Sequence, residues 1–463
     1  MARQDYLYQG ADAPPAQAKT RDREHWMRQG WFRLLAMVML LHIFLPFLVW
    51  PIGLPRVILG LLEVGLALVV LVTFAYMMLE DRIPRGLLLV AAITLIWSLI
   101  SAFDGQAPAA TAWGWWGLFK YPLLAIFAYL VQGWPTDFAR WFFKFTLGLL
   151  IFQIGVQLVM LALGFPMGDS MGGTFGQKGV MQFSMLVFFT VALALGNWLA
   201  THNWKILLSV LALGLLGSTL SGTKFYLFAV AALVAFTVVV HLLRGGQLRQ
   251  LMLYVVLLAG AAGIFVPLYN SFLVNSRGLR PLQEYLQPDV MESYLFNDGV
   301  SADNSSYNIG RGLAITYAWQ QIQRDWTTRL FGYGLGTRSQ STILGVRGNV
   351  LQEDIYGVGT TSLSTWIQEH GIVGVGLFLA FCLWTMAKLF RFARATSDPY
   401  QATLAYGLFI FTMFWPVWLW YHKAWLAGAM MILYWVSLGY TFHLIYTPER
   451  RQAIRRRLAN QRR

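Results

Sequence analysis

The feature that most constrains this chain is its series of uninterrupted apolar blocks, many about twenty residues long, the length of helix that crosses a bilayer. Within lipid, only helices and closed barrels satisfy every backbone hydrogen bond. Barrel strands would alternate apolar and polar residues, and these blocks do not. With 57% of its residues apolar, the chain is expected to be all-α, a polytopic membrane protein of about twelve transmembrane helices. The blocks fall near 32–50, 56–79, 86–103, 113–132, 139–163, 180–200, 205–220, 224–242, 249–268, 364–388, 401–421 and 424–446.

The formal net charge of +14 lies where a membrane protein needs it, which argues against nucleic acid as a partner. The N-terminal tail holds Lys19, Arg21, Arg23, Arg28 and Arg33; the C-terminal tail holds Arg450, Arg451, Arg455, Arg456, Arg457, Arg462 and Arg463. Basic residues beside spans mark the cytoplasmic side and meet anionic lipid there. With the N-terminal tail inside, the returning loops carry Arg82 and Arg85, Arg140 and Lys144, Lys205, Arg244 and Arg249, then Lys388, Arg391 and Arg394. Positive charge therefore recurs on one side, and both termini are expected in the cytoplasm. The resulting division is a cytoplasmic tail (1–30), a first set of spans (31–268), an external segment (269–361), the last spans (362–446) and a basic tail (447–463). No short apolar core with a small-residue cleavage site precedes the first span, so no cleaved signal peptide is expected. Cys382, the only cysteine, lies in a span and reads as a small buried hydrophobe.

The external segment uses arginine and no lysine: Arg277, Arg280, Arg311, Arg324, Arg329, Arg338 and Arg347 face a similar number of acids. Arginine grips phosphate or carboxylate with a planar fork, whereas lysine is a point charge. Specific anion contacts or internal ion pairs are therefore expected. Within it, RGLAITYAWQQIQR (311–324) has a helical pattern with Arg311, Ile315, Trp319 and Ile322 on one face, as in an amphipathic helix lying on a membrane. FGYGLGT (331–337) reads as a turn.

Ionisable residues inside the spans are few. Glu63 and His42 read as interhelical hydrogen-bonding groups. A transporter of lipid-linked oligosaccharide would need charge through the membrane; here the polar residues gather at external span ends instead. GGTFGQKGVMQF brings Lys178, STLSGTKFY brings Lys224, and the external segment brings Arg311. TTSLSTWIQEHGIVG brings Glu369 and His370, and YHK brings His422 and Lys423. Several cations converging on one membrane face suit a phosphate-bearing lipid.

Three of these patches resemble motifs of the O-antigen ligase and O-antigen polymerase superfamily, bacterial inner-membrane glycosyltransferases that use glycans carried on undecaprenyl diphosphate. STLSGTKFYLFAVAAL is similar to the family's serine-plus-basic turn before an apolar helix, with Lys224 where arginine is usual. RGLAITYAWQQIQRDWTTRLFGYGLGT is similar to its arginine-led helix and glycine-rich turn, and TTSLSTWIQEHGIVGVGLFL to its entry into the next span. GGTFGQKGV resembles a further family loop, and the one large loop between the ninth and tenth spans agrees with the family's layout.

The resemblance implies transfer of a glycan from undecaprenyl diphosphate to a sugar hydroxyl on a second lipid-linked unit. Arg311 and Lys224 would steady the departing diphosphate, with Lys178, Arg338, His422 and Lys423 as substrate-binding groups and Glu369 as the candidate general base. An acid at a helix start also complements the helix dipole with no catalytic role. Ligases, which deliver glycan to lipid A core or protein, usually open the third patch with histidine and asparagine. This chain has Thr360 and Thr361 there, which favours a polymerase. His370, about three helical turns further on, cannot inherit the role of that imidazole. No cofactor is implied and no residues sit at metal-ligand spacing, so metal independence is expected. The expected partners are the undecaprenyl-diphosphate-linked glycan as donor and acceptor, the bilayer, a flippase and a polysaccharide co-polymerase.

Overall fold

The computed structural model describes residues 15–49, 53–55, 57–79, 85–131, 133–168, 170–176, 179–243, 260, 263, 266–267, 269–274, 281–296, 300–303, 306–341, 345–353 and 361–461. Lys178, Thr360 and most of the expected ninth span lie outside these residues.

The protein is all-α, with helices α1 (Pro15–Val49), α2 (Val57–Leu79), α3 (Arg85–Phe103), α4 (Pro108–Leu130), α5 (Phe138–Ala162), α6 (Val180–Thr201), α7 (Trp204–Leu220) and α8 (Phe225–Leu243). Four short helices follow: α9 (Pro288–Phe296), α10 (Arg311–Gln321), α11 (Trp326–Phe331) and α12 (Asn349–Glu353). The chain closes with α13 (Ser362–Ala395), α14 (Pro399–Met413), α15 (Trp415–Tyr421) and α16 (Gly428–Gln461). Among the described residues, 6 helices are long and apolar enough to cross a membrane, or up to 7 if α14 and α15, bent by 45°, form one span. Apolar stretches in α3, α7 and α8 are shorter. The boundaries follow cap chemistry. Asn203 accepts from Lys205 and Ile206 backbone N–H, and Asp398 from Tyr400 and Gln401, just before Pro399.

The core is built on α6, whose residues from Phe183 to Leu199 are all buried. It packs against α14 where Gly196 meets Gly407, a side chain on either being blocked by the other helix. Small residues let helices approach closely in lipid, where apolar surface alone gives little drive to associate. Asn197 Nδ2 donates to Thr403 Oγ1 across this contact at 3.2 Å. The loop 171–175 is pinned from α5: Gln153 donates to Thr174 Oγ1 and accepts from its N–H, and Gln157 donates to Met171 O.

Two features, the strands of the external segment and the bonding of His42, differ from the sequence expectation. The segment between α8 and α13 contains two small antiparallel hairpins, β1 (Val300–Asp303) with β2 (Ser306–Ile309), and β3 (Gln340–Ser341) with β4 (Val346–Arg347). In α10 the buried positions are Ala314 and Ala318, followed by Ile322, while Trp319 is exposed. The alanines face inward, where their size permits close helix contact, and Trp319 stays on the outer side. Glu63 does bond between helices, accepting from Lys120 Nζ at 2.7 Å and Trp116 Nε1 at 2.8 Å. His42, by contrast, bonds the Val38 carbonyl one turn back in its own helix, 2.8 Å away, and has no interhelical hydrogen bond among the described residues.

The long helix α13 is broken at Gly371 (φ 61°, ψ −164°). Its start is capped by Thr361, whose hydroxyl accepts from Ser364 N–H. A Cβ at position 371 would enter the backbone of Leu330 and Gly332. Such a conformation is open almost only to glycine. Gly371→Ala is therefore expected to destabilise the fold by roughly 1–3 kcal/mol, whereas Gly376→Ala, facing open space, is expected to be neutral or mildly stabilising. Thermal unfolding of both variants in detergent checks this; equal midpoints would refute it.

Candidate functional site

Two cationic groups assemble at helix ends, joined by the segment that follows α15. In the first, α7 ends in a polar turn. Ser221 and Thr223 hydroxyls lie 2.8 Å apart and Thr223 meets Ser184 at 3.2 Å. Leu220 O accepts from Gly168 N–H, tying this turn to the loop after α5. Lys224 emerges from it with Nζ 5.6 Å from the centre of the Tyr294 ring in α9.

Arg311, the first residue of α10, reaches the same ring. Its Nε donates to Tyr421 O and its Nη1 to Tyr294 O, both at 3.0 Å. The guanidinium lies 4.0 Å from the Tyr421 ring centre and 6.0 Å from that of Tyr294. The two phenols are hydrogen-bonded at 2.7 Å, and Phe225 stacks on Tyr421 at 3.8 Å. Burial, then the bonded Tyr421, hold the Tyr294 hydroxyl well above its ordinary pKa, so it remains protonated. Arg311 thus rests on carbonyls and ring faces. Among the described residues no carboxylate pairs with it and its Nη2 bonds nothing.

The second group surrounds the turn after α11. Glu369 Oε1 accepts from the Arg338 backbone N–H at 2.8 Å and from Ser339 Oγ at 3.3 Å. Its Oε2 lies 3.9 Å from His370 Nε2. Arg338, Glu369 and His370 are all buried. His370 packs against Trp97 and Trp366, which accounts for it as a packing residue. Glu369 therefore holds a backbone turn.

The link is 421–425. Ser362 N–H donates to His422 O at 3.0 Å, and Trp425 N–H to Ser362 Oγ at 3.2 Å, fastening this segment to the start of α13. Burial, reinforced by the Arg311 charge, pushes His422 down to about 3. Burial, then the Arg338 charge, lowers the Lys423 pKa. His422 thus feels the first group and Lys423 the second.

Of the residues singled out from sequence, the structure brings Lys224, Arg311 and His422 around one aromatic box, and Arg338 and Glu369 together with Lys423 nearby. Tyr294 and Tyr421, which frame the box, had not been singled out. Tyr421 adjoins the flagged His422–Lys423 pair, whereas Tyr294 carries no local signal. Lys120 was also passed over, although a lone lysine inside an apolar block requires a partner. Among the described residues, no three His, Cys, Asp or Glu side chains gather as metal ligands would. No family model matches the chain, and no curated protein matches it significantly.

With a folded pKa far below its unfolded value near 6.5, His422 takes up its proton in the unfolded chain first. It therefore removes stability as pH falls from about 6.5 towards 3. The unfolding midpoint of wild type is expected to drop more steeply between pH 7 and pH 5 than that of His422→Gln. Parallel profiles would show that this imidazole titrates normally.

Proposed function

We propose that the protein is a bacterial inner-membrane glycosyltransferase. It would polymerise oligosaccharide repeat units carried on undecaprenyl diphosphate into a surface polysaccharide or exopolysaccharide at the periplasmic face. In this reading about twelve spans cross the membrane and both termini are cytoplasmic. The observation that carries the proposal is Arg311, a guanidinium fixed by two carbonyls and two tyrosine rings, with no carboxylate partner among the described residues. A preorganised cation of this kind is worth most where negative charge develops in a water-poor site.

The acceptor hydroxyl oxygen forms a bond to the anomeric carbon of the donor sugar. The bond from that carbon to the diphosphate oxygen breaks, and its electron pair leaves with the diphosphate, which Arg311 and Lys224 steady. Lys423 and Arg338 extend the positive field. The hydroxyl proton passes to a base. Glu369 can take it only if the 338–339 turn lets go of Oε1; otherwise its carboxylate positions Arg338.

Purified protein in vesicles with a lipid-linked repeat unit is expected to lengthen the glycan, and Arg311→Ala to slow this by about 10²-fold or more. Arg311→Lys is expected to remain impaired, because an ammonium cannot span both carbonyls while stacking. A pure protein that never elongates, together with an Arg311→Ala variant that still supports polymer in cells, would sink the assignment.

Glu369→Gln keeps an acceptor for Arg338 N–H and is expected to retain most activity, while Glu369→Ala loses both activity and thermal stability. A loss of about 10²-fold in the glutamine variant, at unchanged stability, would instead make Glu369 the base.

A further inference from the structure

A groove of about 380 Å³ opens at the α3–α4 hairpin, whose helices also pack against the glycine turn before Arg338. Ser98, Ala102, Gln106, Thr111 and Trp115 line it, and none of its lining residues is charged. Gln106 is only 5% exposed. Its Oε1 accepts from Asn349 N–H at 2.9 Å, which fixes the amide plane. Its Nε2 has no partner among the described residues, a costly state for a buried donor. The Ser98 hydroxyl likewise has no hydrogen bond among them, and that of Thr111 reaches the Ala107 carbonyl only at 3.4 Å. Trp115 donates to Thr94 Oγ1 at 2.7 Å, so its ring is a fixed wall.

The groove continues an apolar stripe on α3. Leu95, Ser98, Leu99 and Ala102 share one helix face, and Leu95, Leu99 and Phe103 are strongly exposed. A surface of that kind on a membrane helix meets acyl chains. The lining offers an unpaired amide donor and two hydroxyls, with the one amide carbonyl already engaged, and no charge to read a headgroup. A ligand that brings an acceptor for the Gln106 amide and joins it to apolar chain fits both the groove and the stripe.

We propose that this groove binds the glycerol-ester region of a two-chain lipid, with an ester carbonyl accepting from Gln106 Nε2 and Ser98 Oγ. Its volume suits the ester region and the first methylenes of a chain, near the lower end of small-ligand pockets at roughly 300–1,000 Å³. The same amide holds Asn349 at the start of α12, and Gly348 and Leu351 N–H donate to Ser339 O and Thr337 O. An occupied groove would thus brace the turn that carries Arg338. The site does not depend on the glycosyl-transfer reading, and its test needs no turnover.

Native mass spectrometry of the detergent-solubilised full chain compares diester phosphatidylglycerol with its diether analogue, which lacks only the carbonyls. Wild type is expected to retain the diester at least roughly fivefold better, the worth of one of its two neutral hydrogen bonds. Gln106→Glu, which keeps the acceptor for Asn349, should bring the diester most of the way down to the diether level. Ser98→Ala, which leaves the loop untouched, should narrow the gap and serves if the first variant fails to fold. Diester phosphatidylethanolamine should behave as phosphatidylglycerol does. Equal retention of diester and diether, a gap unchanged in Ser98→Ala, or displacement of the diester by an alkyl glucoside would each overturn the proposal.

Discussion

Two carbonyls freed where a helix breaks hold this structure together. In an unbroken α13, Gln368 O and Glu369 O would accept from the N–H groups four residues on. At Gly371 the chain turns instead, and the carbonyls accept from Tyr333 N–H at 2.8 Å and Gly334 N–H at 3.0 Å. A buried backbone group must be paired, so the break exists only with the glycine turn seated against it. The same turn is clamped from the other side. Trp97 Nε1 donates to Phe331 O at 2.9 Å, and Ser101 Oγ to Leu335 O at 3.1 Å. The position of Arg338 follows from this clamp.

The structure carries its positive groups in two ways. Lys120 lies against Glu63 at 2.7 Å, so its charge is cancelled within the helices. Arg311 is held by neutral groups, carbonyl oxygens and tyrosine rings, which fix its direction without cancelling its charge. The first arrangement joins α2 to α4 and leaves little field outside. The second leaves a directed cation, which is what an anionic ligand can use.

Much of the fold was legible because hydrophobic periodicity and length report helices directly. Blocks read near 139–163 and 180–200 match α5 and α6 to within a residue or two. The break at Gly371 was not legible, since EHGIVGVG reads as the entry to a continuous apolar helix. The glycine cluster was read as a turn and is one. Its glycines serve close backbone approach: a side chain on Gly334 would meet Ser101, and one on Gly336 would meet Ala110. The aromatic box could not be seen in advance, because it joins Arg311 to Tyr421 across 110 positions and no local pattern encodes that pairing.

The chemistry of the linking segment sets how the site behaves in solution. His422, an imidazole beside Arg311, is held near 3 by burial and by that arginine, and arginine does not lose its proton in proteins. The charge around the aromatic box is therefore constant over the range in which a histidine switch would act. A site designed to sense pH would place a titratable ring within reach of a carboxylate that raises its pKa. Here the ring is kept neutral beside a permanent cation, so His422 contributes shape and stacking while Arg311 supplies the charge.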